Sequence, residues 1–146
     1  MLVDVLTPIA IDRSIAVVAA FATDPDNAPQ WYINIQMVEW QTEPPLTLGT
    51  KLSFVAHFLG RRLAYTYEVI DFQPGERLTM RTAQGPFPME TTYTWRPEGA
   101  ERTQMTLRNR GEPSGFGRIA APLLATAIRR QNRKDLDRLK TILERG

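Results

Sequence analysis

From residue 51 to residue 109 the sequence alternates apolar and polar side chains through successive runs, and a turn signal separates each run from the next. An antiparallel meander satisfies all of them at once. Taking Gly60-Arg61 as a two-residue turn opposes Phe58 to Leu63, Ala56 to Tyr65, Phe54 to Tyr67 and Leu52 to Val69, all apolar or aromatic. The other face then holds His57/Ala64, Val55/Thr66, Ser53/Glu68 and Lys51/Ile70. Pro74-Gly75, placed as a type II turn requires, sets Met80 against Val69 and Thr82 against Tyr67. A turn at Gly85-Pro86 aligns Thr82/Met89, Met80/Thr91 and Leu78/Tyr93. After the PEGAE loop, Trp95/Thr103, Tyr93/Met105, Thr91/Leu107 and Met89/Asn109 are opposed, with Glu90, Thr92, Thr94, Gln104, Thr106 and Arg108 outside. Every hairpin selects the same inner face, so the sheet has one apolar, concave side.

The flanks complete the pattern. Val3, Val5, Ile9 and Ile11 predict a first strand, and Asp12 is placed to cap a short helix over Arg13 to Ala22. A second helical turn is expected around Pro29 to Tyr32. An extended stretch from Ile33 to Glu43 changes phase at Val38 and Trp40, which predicts a bulge near Met37. From Ser114 the period becomes helical, with Phe116, Ile119, Leu123, Leu124, Ala127, Ile128, Leu136, Leu139, Ile142 and Leu143 as the apolar stripe. Pro122 either kinks this helix or starts its main body. Strands in sequence followed by one long helix indicate an α+β chain of one domain spanning residues 1–146.

This order resembles the helix-grip fold of the START-like superfamily, also called the Bet v 1-like (SRPBCC) or polyketide cyclase/dehydrase and lipid transport group. The carriers are Val3 to Ile11 followed by IDRSIAVVAAF, the Asn27 to Trp31 step, Gly49 before a strand, YEVIDFQPGERL at 67–78 and DLDRLKTILE at 135–144. The resemblance implies a seven-stranded antiparallel sheet wrapped around a long C-terminal helix, with two short helices after the first strand. It also implies a cavity between sheet and helix. Members bind lipids, sterols, hormones or polyketides there, and a minority are cyclases, dehydratases or ring-oxygenase subunits.

Composition narrows the chemistry. The chain has no cysteine and one histidine, which excludes disulfides, thiolate catalysis and metal sites with two imidazole ligands. No metal or cofactor is expected. His57, the sole imidazole, is a candidate general base, but the hairpin register puts it on the outer face. Glu39, beside the expected bulge, is the other candidate acid or base. Ser14, Ser53 and Ser114 lie in no nucleophile elbow. The net charge of +2 conceals a basic tail, where Arg129, Arg130, Arg133, Lys134, Arg138, Lys140 and Arg145 alternate with Asp135, Asp137 and Glu144. That interleaving describes a solvated helix face, and no nucleic-acid partner is expected. The N-terminus lacks a basic region before its apolar residues, and the apolar run Ile15 to Ala22 is too short to span a bilayer. A cytoplasmic protein, monomeric or weakly dimeric and without stable membrane insertion, is expected.

The expected lining is Phe54, Phe58, Tyr65, Tyr67, Met80, Phe87, Met89, Thr91, Tyr93, Met105 and Asn109 from the sheet, with Leu124, Ile128 and Gln131 from the helix. Methionine adapts its shape and tyrosine places a hydroxyl at the end of an apolar ring, so this wall suits a hydrophobic guest. Trp31 is placed to close one end of the core or the cavity mouth. Three functions fit: a container for a lipid, isoprenoid or aromatic polyketide; an aromatase/cyclase guided by shape and tyrosine hydroxyls; or an interaction module with a filled interior.

Overall fold

The computed structural model describes residues 3–85, 88–112 and 121–145. In chain order they form β1 (Val3–Ile11), α1 (Ile15–Ala22), a 3-10 turn (Pro25–Asn27), α2 (Ala28–Trp31), β2 (Ile35–Trp40), β3 (Lys51–Phe58), β4 (Arg61–Gln73), β5 (Arg77–Gln84), β6 (Met89–Pro97), β7 (Thr103–Gly111) and α3 (Ala121–Arg145). The strands make one antiparallel sheet in the order β1-β7-β6-β5-β4-β3-β2. This is the helix-grip fold, with the 25-residue α3, about 37 Å long, lying against the concave face.

Two registers differ from the expected ones by two residues. Phe58 opposes Arg61, Ala56 opposes Leu63 and Phe54 opposes Tyr65, so the turn is Leu59-Gly60. Both turn residues have positive φ, 51° and 76°, as the type I′ hairpin demands, and glycine takes its second position rather than the first. Likewise Trp95 opposes Met105 and Thr91 opposes Asn109, because β6 runs on through Pro97 before the chain turns. A slip of two conserves side-chain facing, so the inner face is the predicted one. The β4–β5 and β5–β6 registers pair Val69 with Met80 and Met80 with Thr91, as expected. A bulge between Val69 and Asp71 then brings Phe72 opposite Leu78.

The first helix begins later than the sequence suggests. Ser14 is its N-cap, with its backbone carbonyl accepting from Val17 and Val18, whereas the Asp12 N–H donates to Glu144 on α3. β2 is shorter than the expected stretch, and its bulge falls between Ile35 and Met37. Pro122 stands in the first turn of α3, where its missing N–H costs no helical bond. The expected inner residues Phe87, Phe116 and Ile119 lie outside the described residues. No described helix is long and apolar enough to cross a membrane.

The core is unevenly filled along α3. Its C-terminal half inserts Leu136, Leu139 and Leu143 among Ile11, Val18, Trp95 and Met105, all buried. Its N-terminal half places Leu124 against Val3, Val5 and Leu63 in a separate cluster. Between these packed ends lies open space.

Candidate functional site

A cavity separates the concave sheet from α3, and about 170 Å³ of it is open to the centres of water molecules. For comparison, an engineered apolar cavity of about 150 Å³ holds benzene. Small residues, Ala22, Ala28 and Ala56, stand where larger side chains would close the gap. Asp24, exposed, belongs to the rim.

The sheet contributes Phe54, Phe58, Tyr65, Tyr67, Met80, Met89, Thr91, Tyr93 and Asn109 to the wall, and α3 contributes Leu124, Ile128 and Gln131, all expected lining residues. Met105 is the exception. It is fully buried in the packed end, because the two-residue shift sets it opposite Trp95 rather than Tyr93. Trp31 is buried and lines the space.

Aromatic rings pack edgewise across the floor: Tyr65 on Tyr67 with centroids 5.2 Å apart, and Phe54 on Tyr67 at 5.7 Å. Their hydroxyls are spoken for in part. Tyr67 reaches Thr91 Oγ1 at 3.3 Å, and Thr91 in turn donates to Asn109 Oδ1 at 3.0 Å. The Tyr32 and Tyr93 hydroxyls bond each other. Burial raises the pKa of Tyr32, Tyr65, Tyr67 and Tyr93. These phenols stay neutral near pH 7 and act as hydrogen-bonding groups.

Neither sequence candidate for acid–base work reaches the cavity. Glu39 is exposed opposite Ser53, and His57 is exposed opposite Arg62. The bulge before Met37 turns Val38 and Trp40 inward and Glu39 out, and burying its charge unpaired would be costly.

The buried carboxyl that lines the cavity is that of Asp135. Its place among basic residues suggested a solvated helix face, yet it is only 2% exposed and lines the wall. Burial pushes its carboxyl up to about 6, against the opposing pull of hydrogen bonds from the Ile33 N–H and Gln131 Nε2, each 3.0 Å from Oδ1. Asn132, one turn earlier, is also buried in the wall, and its Nδ2 has no partner. A signal for both was present. Asn132 stands four residues after Ile128 and four before Leu136, and Asp135 lies three beyond Asn132 and four before Leu139, so both belong to the inward stripe. Tyr32 and Leu46 are further lining residues that the alternation did not reveal, since they come from the α2–β2 connection and the β2–β3 loop.

The fold has counterparts among solved structures. A START superfamily protein from Mycobacterium smegmatis superposes with a TM-score of 0.84 at 15% identity, covering 97% of each chain. The Zhui aromatase/cyclase of a Streptomyces species superposes with a TM-score of 0.82 at 17% identity, over 99% of this chain and 95% of that one. A ginseng (Panax ginseng) major latex-like protein gives 0.77 at 13% identity, with 96% of each chain covered. No curated protein sequence matches. At these identities the structures establish a shared fold. Sequence similarity goes further, because the model of the family described as polyketide cyclase/dehydrase and lipid transport matches residues 3–144. The chain belongs to that polyketide cyclase/dehydrase and lipid transport family.

Proposed function

We propose that this protein binds a hydrophobic small molecule, a lipid, isoprenoid or aromatic polyketide, in the cavity between the sheet and α3. The observation that carries the reading is the unfilled space itself, walled by Phe54, Tyr65, Tyr67, Met80 and Ile128 and fringed by hydroxyls and amides. Packed interiors leave few voids larger than a water molecule, so a space of this size between well-packed ends is what a guest would occupy. Natively purified protein, extracted with organic solvent and examined by mass spectrometry, is expected to release a lipophile. A panel of lipophiles is expected to raise its Tm. Finding neither a guest nor any stabilisation would contradict the reading.

Asp135 favours a second reading, a cyclase-type enzyme. A carboxyl held near 6 can give or take a proton at neutral pH, and the cavity surrounds it with neutral phenols. Proximity within a shaped wall would supply much of the remaining acceleration. On this reading, Asp135→Asn abolishes cyclisation of a poly-β-ketone analogue while its binding persists. Unchanged turnover would remove Asp135 from the chemistry.

A further inference from the structure

We propose that Asn132 and Asp135 form a paired subsite that reads a neutral hydroxyl group on the guest, and this rests on the container reading above. The two residues are three apart on α3 and therefore share one helix face, and both line the cavity. Asn132 is 5% exposed, and its Nδ2, a donor, has no partner. Asp135 Oδ1 receives both of that carboxylate's bonds, one from the Ile33 N–H and one from Gln131 Nε2, which leaves Oδ2 without a donor among the described residues. The wall thus holds a buried donor without a partner, which is costly to leave alone, three residues from a carboxylate whose second oxygen takes no donor among the described residues.

A hydroxyl is the smallest group that answers both. Its oxygen accepts from Asn132 Nδ2 while its O–H donates to Asp135 Oδ2. An ammonium group donates only, so Asn132 would stay unmet. A carboxylate accepts only, and it would put a second negative charge beside Asp135. Asp24 and Asp135 are the charged residues of the wall, and no Lys, Arg or His lines it among the described residues, so nothing there compensates an anionic guest. With its carboxyl pushed up only to about 6, Asp135 is ionised above neutral pH and accepts. Trp31 Nε1, a second unpaired donor in the wall, adds to the demand for a guest oxygen.

The test is a calorimetric titration of the full chain, slightly above neutral pH, with four aromatic probes that share a naphthalene ring: naphthalene, 2-naphthol, 2-naphthoate and 2-naphthylmethylammonium. 2-Naphthol is expected to bind roughly tenfold or more tightly than each of the others, the effect of hydrogen bonds that include one to a charged group. In Asp135→Asn and Asn132→Leu, its advantage over naphthalene is expected to fall to within about threefold. Naphthalene matching 2-naphthol in the unaltered protein would mean that water keeps the pair, and would overturn the proposal. Tightest binding by the ammonium or the carboxylate would overturn it too, as would an advantage that survives in both variants. If no probe binds, the container reading falls and takes the subsite with it, whereas equal binding by all four refutes the subsite alone.

Discussion

The carboxyl of Asp135 loses more from burial than its neighbours restore, which is why its pKa stands near 6 rather than near the usual 3.8. The folded state therefore holds the proton more tightly than the unfolded chain does. Stability from this group is greatest below about pH 4 and is lost as pH rises through about 6, by as much as about 3 kcal/mol. Asp135→Asn keeps an oxygen for the Ile33 and Gln131 bonds and removes the charge. Denaturant melts are thus expected to show a variant more stable than the parent at neutral pH, with the difference vanishing near pH 4; a difference independent of pH would contradict the shifted carboxyl. Thr91 makes the opposite case, since its hydroxyl joins Tyr67 to Asn109 inside the wall. Thr91→Val conserves shape but strands both partners, and is expected to lower stability by about 1–2 kcal/mol in the same melts. Single buried polar residues such as Asp135 were the least legible part of the sequence. A carboxylate among seven basic residues reads as a surface group by composition, and only its position on the stripe says otherwise.

At the scale of elements, legibility followed the period of the structure. Strand alternation has a period of two, so placing the β3–β4 and β6–β7 turns one residue off, which shifts each register by two, left every side chain of those strands on its true face. Turn positions were harder to read, because a type I′ turn usually advertises itself with Asn-Gly or Gly-Gly and here begins with Leu59 at φ 51°. A leucine in left-handed conformation is strained. Leu59→Asn is expected to stabilise the protein by about 1 kcal/mol, read as a raised Tm with the same Asn-Gly hairpin register; a loss of stability would argue against a turn at Leu59-Gly60. The short helices were legible in existence but not in their caps. Asp12 looked like a helix start, yet tertiary pairing with α3 draws its N–H to Glu144.

For the whole molecule, the same α3 does two jobs that its sequence separates. Leu136, Leu139 and Leu143 fill the core, while Ile128, Gln131, Asn132 and Asp135 stand over open space. If that space is a working cavity, filling it should raise stability and lower binding together. Ala56→Leu, which adds three carbons to the wall, is expected to raise Tm while weakening the thermal shift given by a lipophile; a destabilised variant that still binds would mean the space lies elsewhere. The most direct measurement is a two-dimensional amide NMR titration of the 16.6 kDa chain with 2-naphthol. Saturable shifts are expected to concentrate at Tyr65, Tyr67, Thr91, Ile128, Asn132 and Asp135, on both walls of the cavity. Shifts confined to the exposed outer face around Glu39 and His57, or no shifts at all, would contradict a working cavity.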